Sequence, residues 1–532
     1  MHAWLASSLT RYYPASPAEA RDGLLLEAAR GEKLSFQVVF RTDFSEATTT
    51  VAASVSAPPG LALQVRRVGY VPLPHFNTDT PLAELDGVGY IPGYVPDPLL
   101  PETEIIAGAG ETHSFWITVR VAPEARPASY PISILLSAGE EKIVLSAMVV
   151  VYPARLAPRR NFPVMQVFHA DAVCQWYGTE LWQERFWQLL DPYLTNIVEH
   201  GQDSIYVPLF TPPLDGVKRP TQLLGISRDG ERYHFDWSLA RRWTAACRAK
   251  GVTSFEWSHF FTQWGAQQAL RVYEGHGEGA QLLWPAETAA LSPVYRNFLE
   301  QFMPEFKRFL EGEGLLDCSL FHLSDEPNLE HLESYRAARE LLRELAPWMK
   351  VIDALSDLDF AKQGLTDVVV PITWSVMDFL KEGFDPWVYY CCYPKGVFLN
   401  RLLDTPLAKV RMSGWLFYRT QVRGFLHWGY NYWYQNQTTR LIDPFMTNDG
   451  LSWPLWSHGD PFVVYPGPTG PLDSLRWEVF AESLQDYAML QTVGIDPADA
   501  ALAEIKDYGN FPKSEEWLTR SRSWLLQLAS VK

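Results

Sequence analysis

Two adjacent carboxylates, Asp325 and Glu326, are the residues of this chain best placed to do chemistry. They follow a short strand-like run at 320–324, and Pro327 comes directly after them. A strand that delivers acids to a loop at its carboxyl end is how an α/β barrel positions its catalytic groups. In isolation, the same Asp-Glu-Pro could instead cap the helix that begins at about residue 329. The rest of the sequence is needed to choose between these interpretations.

The adjacency of the two acids restricts the reaction that they could catalyse. Successive residues of a regular strand point to opposite faces, so both side chains can share a pocket only where the backbone bends. Pro327 favours such a strand end, since it holds Glu326 in an extended conformation. The two carboxylates of an ordinary glycosidase flank the scissile bond at about 5 Å or more. A neighbouring pair fits better a reaction in which the 2-acetamido group of a sugar attacks its own anomeric carbon.

In that reaction the two acids have different roles. Glu326 would be the general acid and afterwards the base. Asp325 would accept the acetamide N–H and offset the charge of the oxazolinium intermediate. Two alternatives stay open. A carboxylate from another strand, such as Glu256 or Asp353, could be the nucleophile on a sugar that lacks the acetamido group, or the cleft could bind carbohydrate without turnover.

Composition favours a carbohydrate partner over a nucleic acid. The chain has a formal net charge of −17 and no Lys/Arg-rich run, so it lacks the cationic footprint that phosphate binding needs. It contains 21 Trp, 24 Tyr and 28 Phe, which together make 14% of its 532 residues. Aromatic faces either stack on sugar rings or fill a large core. A small oligosaccharide or glycoside is therefore the expected ligand.

Cysteine usage and the N-terminal residues indicate a location. The five cysteines lack metal-ligand spacing, which predicts buried thiols in a reducing compartment. No signal peptide and no run of about 18 apolar residues is visible, so a membrane span is not expected. We therefore expect a cytoplasmic protein, whereas the sequence leaves its oligomeric state open.

The chain before about residue 152 has the pattern of a β domain. Period-two runs are separated by turns that contain Pro and Gly, which is typical of a β-sandwich. The clearest predicted strands are 34–40, 61–71, 113–121, 130–136 and 143–151. A segment rich in Pro, Gly and Asp at 74–104 is predicted to be a long loop that reaches a neighbouring domain.

After a linker at about 153–161, short strands alternate with longer helical segments. Eight such units over roughly 300 residues fit an α/β fold of the (β/α)8 TIM-like type. The strands are predicted at 164–168, 204–209, 254–259, 320–324, 351–355, 368–372, 388–393 and 424–433. Helices at 474–491, with Asp473 as a possible cap, and at 515–528 follow. The predicted domains are therefore a β-sandwich over 1–155, a catalytic barrel over 160–472 and packed helices over 473–532.

Polar and aromatic residues lie at or after several of the predicted strands, where a barrel would place its site. Thr211 and Asp215 follow the second strand. The residues that we predict to bind substrate are His259, Trp264, Trp374, Tyr390, Trp428, Asn431 and Trp433. A one-residue error in strand register would exchange inward and outward side chains, so the sequence does not show which aromatics hold the sugar.

Several blocks of sequence together carry a family resemblance. They are His322-Leu323-Ser324-Asp325-Glu326-Pro327, the segments 257–265, 424–433 and 459–467, and Gln485-Asp486-Tyr487, with 28–32 near the N-terminus. With these blocks the chain resembles glycoside hydrolase family 123. The resemblance implies an exo-acting, retaining β-N-acetylgalactosaminidase with a β-sandwich followed by a (β/α)8-like barrel. It matches the family's acid pair to Asp325 and Glu326 and implies no cofactor and no metal.

Overall fold

The N-terminal part of the computed structural model, which describes residues 1–20, 23–44, 48–213 and 220–531, consists of β-strands. In the described ranges these strands are β1 His2–Ser7, β2 Leu24–Arg30, β3 Lys33–Arg41, β4 Thr48–Ser56, β5 Leu61–Leu73, β6 Gly93–Leu100, β7 Glu104–Gly108, β8 Thr112–Val121, β9 Ala128–Ala138 and β10 Glu141–Arg155. The five predicted strands correspond to β3, β5, β8, β9 and β10.

These strands form two five-stranded sheets that share one core. The first sheet has the order β1-β3-β8-β5-β6, and the second has the order β2-β10-β9-β4-β7. Neighbours are antiparallel except for β2 and β10. Phe36 and Ile117 of the first sheet and Ile134 and Val149 of the second are buried in the same apolar cluster. The period-two pattern thus places alternate residues of both sheets in that core.

The Pro-rich segment at 74–104 is a loop only in its first half. Over 74–92 it reaches the C-terminal part, where the backbone N–H of Asn77 donates to the Asp404 carboxylate at 2.7 Å. The remainder contains β6, which was not predicted because Pro96 and Pro98 resemble loop residues. β6 is an edge strand, and an edge position tolerates residues that cannot donate a hydrogen bond to the ladder.

The rest of the described chain combines short strands with helices. The strands are β11 Val164–Gln166, β12 Ser204–Val207, β13 Gly225–Asp229, β14 Arg232–Asp236, β15 Ser254–Trp257, β16 Tyr273–Glu274, β17 Gln281–Leu282, β18 Ser319–Phe321, β19 Ile352–Ala354, β20 Val368–Val370, β21 Val388–Tyr389, β22 Phe425–His427, β23 Tyr465–Pro466 and β24 Pro471–Leu472. The helices are α1 Ala170–Trp176, α2 Glu184–Glu199, α3 Ser238–Lys250, α4 Pro293–Gly312, α5 Leu332–Leu345, α6 Leu358–Lys362, α7 Val376–Lys381, α8 Leu407–Arg411, α9 Ser413–Thr420, α10 Leu475–Val493 and α11 Glu515–Val531. The molecule is therefore a mixed α/β fold.

Each of the eight strand positions predicted for this part carries a strand, and each strand ends earlier than predicted. Parallel pairing joins β21 to β22 and β22 to β11, joins β12 to β15 and β15 to β18, and joins β19 to β20. Parallel bridges between Phe321 and Val351 and between Ile372 and Tyr389 connect these groups. Seven of the strands also contribute side chains to one apolar cluster, which includes Met165, Tyr206, Leu320, Ile352, Val370, Tyr389 and Leu426.

Helix α10 lies between the N-terminal sheets and α8 and α9, and it is buried on nearly every face. Ser474 caps it by accepting a hydrogen bond from the N–H of Trp477 at 3.1 Å. The predicted cap, Asp473, instead pairs with Arg66 of β5. Gly414 of α9 allows the close approach, since a Cβ there would lie 1.8 Å from the carbonyl oxygen of Ser483. Among the described residues, none of the helices has an apolar stretch that could cross a membrane.

Candidate active site

The acid pair lies in a loop that backbone hydrogen bonds hold in place after β18. The N–H of Trp264 donates to the carbonyl of Asp325 at 2.8 Å, and the N–H of Glu326 donates to the carbonyl of Ala354 at 3.0 Å. The hydroxyl of Ser324 donates to the carbonyl of Thr262 at 2.7 Å. The loop is therefore fixed to the segment that follows β15 and to the last residue of β19.

The backbone of Glu326 corrects one expectation. Its φ is 41°, in the left-handed region, whereas Pro327 was expected to hold it extended. A non-glycine residue adopts this region only where its surroundings impose it. The bond from Glu326 to Ala354 provides such a constraint. The resulting bend places Asp325 and Glu326 on the same cavity even though they are adjacent in sequence.

A buried ionic cluster supports this loop. Asp353 of β19 accepts hydrogen bonds from the N–H of Leu323 at 3.0 Å and from the hydroxyl of Tyr335 at 2.5 Å. His322 lies between two carboxylates, with Nε2 3.1 Å from Glu256 and Nδ1 3.5 Å from Asp353. Burial disfavours the charge on His322, but these two contacts outweigh it and raise the pKa of His322 to about 9. The imidazole is therefore a buried cation at neutral pH.

The same cluster removes the two alternative nucleophiles from the cleft. Glu256 and Asp353 are both fully buried. Glu256 accepts a further hydrogen bond from Ser204 at 3.1 Å. Because both carboxylates are buried against His322 and neither lines the acid-pair cavity, neither is placed to attack a sugar.

The two acids line a cavity of about 310 Å³, which we call the acid-pair cavity. Its other lining residues are Gln263, Trp264, Ala354, Tyr389, Cys391, Cys392, Tyr393, Leu426, Trp428, Asn436, Gln437, Leu455 and Trp456. Among the described residues that line it, Asp325 and Glu326 are the only carboxylates. The hydroxyl of Tyr389 donates to Oε1 of Glu326 at 2.7 Å and so fixes the orientation of that carboxyl group.

An aromatic wall forms one side of the acid-pair cavity. The Trp428 ring lies 4.8 Å from the Trp456 ring, measured between centroids. Its indole N–H donates to Asp460 at 2.9 Å, which fixes the ring plane. A rigid, half-buried indole of this kind offers an apolar face to a sugar ring.

Two further cavities adjoin the acid-pair cavity on different sides. The Trp374 cavity, of about 560 Å³, shares Glu326 and Tyr389 with it. The Arg271 cavity, of about 410 Å³, shares Gln263 and Trp264. The side chains of Trp264 and Trp374 are half exposed, at 47% and 51%. Three of the predicted substrate-binding residues, Trp264, Trp374 and Trp428, thus border the cleft.

The other predicted substrate-binding residues lie in the core. His259 stacks on His322 and bonds the hydroxyl of Tyr206 at 3.0 Å. Asn431 bonds both backbone groups of His169. Trp433 donates to the carbonyl of Val464, and Tyr390 packs on Phe425. These four assignments need correction. The strands end earlier than predicted, and the side chains of the four residues pack between strands and helices instead of facing the cleft.

The predicted set of substrate-binding residues also lacks several residues that line the cleft. Tyr389, rather than its neighbour Tyr390, faces the acids, which is the one-residue register ambiguity of a short strand. Asn436, Gln437 and Trp456 come from irregular chain after β22, where no periodic pattern could locate them. Of the residues proposed after the second strand, Thr211 lines the Arg271 cavity, and Asp215 lies outside the described residues.

One group in the described chain has the spacing of metal ligands. His200, Asp473 and Glu478 bring their ligand atoms within 4.8 Å of one another. However, Arg66 pairs with both carboxylates, and Lys33 lies 2.9 Å from Glu478. Protein cations thus already neutralise the group, which lies between the N-terminal sheets and α10, away from the acid-pair cavity.

The model of the glycoside hydrolase 123 catalytic domain matches residues 168–493, more than half of the chain. The chain belongs to glycoside hydrolase family 123. It is thus a glycoside hydrolase, and carbohydrate is its substrate class. The matched range includes the acid pair, the four cleft tryptophans Trp264, Trp374, Trp428 and Trp456, and α10.

One solved structure shares the fold of this chain over nearly its whole length. A family 123 glycoside hydrolase from Clostridium perfringens, whose structure was described for glycolipid glycan hydrolysis, is 15% identical, and the alignment covers 99% of this chain and 97% of that chain with a TM-score of 0.73. β-Glucuronidase 3 of Bacteroides uniformis is 12% identical, with 86% and 51% covered and a TM-score of 0.31. The comparison with curated protein sequences gave no match.

Proposed function

We propose that this family 123 member is a retaining glycosidase that releases β-linked N-acetylgalactosamine, or a related 2-acetamido sugar, by substrate-assisted catalysis. One observation carries the proposal: an adjacent acid pair supplies the only carboxylates among the described residues that line the acid-pair cavity. The two carboxylates considered as separate protein nucleophiles, Glu256 and Asp353, are buried against His322. We therefore assign the role of nucleophile to the 2-acetamido group of the substrate.

The proposed reaction has two steps. In the first, the acetamido oxygen forms a bond to the anomeric carbon, the bond from that carbon to the leaving oxygen breaks, and Glu326 gives its proton to that oxygen. Asp325 accepts the acetamide N–H and offsets the positive charge of the oxazolinium ion. In the second, Glu326 takes a proton from water, which attacks the anomeric carbon and opens the ring. The two displacements retain the configuration.

We further propose that the strands β11, β12, β15, β18, β19, β20, β21 and β22 form a closed (β/α)8 barrel. The parallel pairings, the two bridges and the shared apolar cluster support it. On this reading the domains are a β-sandwich over 1–155, the barrel over 160–472 and C-terminal helices over 473–532. The acid pair then follows the fourth barrel strand, at the carboxyl end where barrel chemistry occurs.

The proposed substrates are short glycans or oligosaccharides derived from glycolipids. The Clostridium perfringens relative was studied for glycolipid glycan hydrolysis, and we extend that substrate class to this chain. A cytoplasmic location is part of the same proposal. It fits the five cysteines, all within the described residues, which form no disulfide there.

The decisive assay compares an aryl β-N-acetylgalactosaminide with the corresponding aryl β-galactoside. Substrate-assisted catalysis requires the acetamido group, so we expect turnover of the first and none of the second. A galacto-configured N-acetyl thiazoline, which mimics the oxazolinium ion, should inhibit competitively, and proton NMR should detect the β-anomer as the first product. Hydrolysis of the plain galactoside without thiazoline inhibition would refute the proposal.

A further inference from the structure

The two acids do not border the same set of cavities. Asp325 lines the acid-pair cavity, whereas Glu326 lines both that cavity and the Trp374 cavity. Tyr389, whose hydroxyl bonds Glu326, lies on the same shared boundary. The cleft is therefore asymmetric about the acid pair.

This asymmetry gives the substrate a direction. A general acid must reach the glycosidic oxygen, which lies between the retained sugar and the leaving group. It must therefore border the sites of both. The group that orients the acetamide needs to border only the retained sugar, because the acetamido group belongs to that ring.

We propose that the Trp374 cavity binds the leaving group of the substrate, a neutral sugar residue, with Trp374 as its stacking platform. The inference rests on the proposed function, since it assigns the proton to Glu326 and the acetamido group to Asp325. The retained sugar then occupies the acid-pair cavity beside Trp428. The Arg271 cavity lies on the other side, beyond Trp264, and neither acid lines it.

The composition of the Trp374 cavity fits a neutral sugar. Besides the residues that it shares with the acid-pair cavity, its lining combines the amide of Asn328, the hydroxyl of Ser356 and the carboxylate of Asp357 with the apolar residues Pro327, Leu355, Leu358, Ile372 and Trp374. The Trp374 side chain is 51% exposed and its ring lies 6.5 Å from that of Tyr393. An indole face that is open to solvent beside hydroxyl and amide groups can stack on the C–H face of a sugar while its hydroxyls find hydrogen-bond partners.

The kinetic test compares two N-acetylgalactosaminides whose leaving groups have similar acidity. One leaving group is galactose and the other is trifluoroethanol, which has no ring to stack. Trp374→Ala should lower kcat/KM on the galactose compound about tenfold more than on the trifluoroethyl compound, and Trp374→Phe should lose less. Trp264 borders the other side of the cleft, so Trp264→Ala should lower kcat/KM by the same factor on both substrates. Equal losses for both substrates in Trp374→Ala would overturn the inference.

A binding test separates this inference from the proposed function. Saturation-transfer NMR should detect lactose on the wild-type protein, both alone and with the thiazoline bound, and should detect none on Trp374→Ala. If the thiazoline fails to bind while lactose still requires Trp374, the proposed function fails and the lactose site stands. Lactose that binds both proteins equally, binds neither, or is displaced by the thiazoline would overturn the inference. Because Trp374 is half exposed, the variant is expected to fold, and its thermal unfolding should match the wild type.

Discussion

Removal of the Tyr389 hydroxyl isolates one contact of the proposed acid. In Tyr389→Phe the hydrogen bond of 2.7 Å to Glu326 is lost, and the ring stays in place. Burial, together with the neighbouring Glu326 charge, raises the pKa of Tyr389 well above its ordinary value. The phenol is therefore a neutral donor throughout the pH range of any assay, and the substitution removes a donor rather than a charge.

The size of the effect follows from the type of bond. A hydrogen bond to a charged group contributes about 1.5–3 kcal/mol. Glu326 borders an open cleft, so water can replace part of that bond, and about 1.5–2 kcal/mol is the expected loss. This corresponds to a decrease of about 10–30-fold in kcat/KM. Because the hydroxyl acts through the acid, the decrease should apply to sugar leaving groups and nearly vanish for dinitrophenol, which leaves without a proton.

The assay is the initial rate on a series of aryl and sugar N-acetylgalactosaminides. Tyr390→Phe is the matched control, since the neighbouring tyrosine is buried outside the cleft. Its leaving-group dependence should equal that of the wild type. If Tyr389→Phe loses the same factor on every leaving group, or loses nothing, then Tyr389 does not act through the proton donor and the assignment of Glu326 is wrong.

Three further predictions concern the acids and the cluster beneath them. Glu326→Ala should lose least on dinitrophenyl substrates, whereas Asp325→Asn should lose a similar factor on all of them; the same dependence in both variants would contradict the division of roles. Asp353→Asn places an amide N–H against donors that need an acceptor, so urea titration should show a loss of about 1–3 kcal/mol in unfolding free energy. The kcat of this variant should fall by about 10–100-fold with little change in KM, because the loop that carries the acids is less well held. An unchanged kcat would mean that Asp353 does not hold the loop. The folded-state pKa of His322, about 9, exceeds the ordinary 6.5. The stabilisation of the fold by charged His322 is therefore complete below pH 6.5 and is lost as the pH rises through 9. Urea titrations should show that the unfolding free energy of the wild type declines by about 3 kcal/mol across that pH window. His322→Gln should show no such decline. Parallel pH profiles for the two proteins would refute the claim that His322 is charged in the folded state.

Periodicity predicted the strands of the second part of the chain but not their ends. The apolar runs at 204–209 and 388–393 identify strands correctly, because a buried parallel strand needs such residues. The strands stop at Val207 and Tyr389, where pairing ends. Polar side chains beyond the strand ends, such as His259 after β15, remain buried because they pack against elements that are far away in sequence.

The acid pair could be located from the sequence, whereas the rest of the site could not. The apolar run before it and Pro327 after it indicated the end of a strand, and the rest of the sequence was needed to prefer this interpretation over a helix cap. The left-handed backbone at Glu326 was not predicted, because the bond that imposes it joins the loop after β18 to Ala354 of β19. Trp456 reaches the cleft from irregular chain, and only tertiary structure brings it beside Trp428.

A crystal structure with the galacto-configured thiazoline would assign the two acids most directly. We predict that the ligand occupies the acid-pair cavity beside Trp428, that its ring nitrogen lies within hydrogen-bond distance of Asp325, and that the Glu326 carboxyl faces the side of the anomeric carbon from which the leaving group departs. A complex in which Glu326 bonds the ring nitrogen and Asp325 faces the Trp374 cavity would contradict the proposed mechanism.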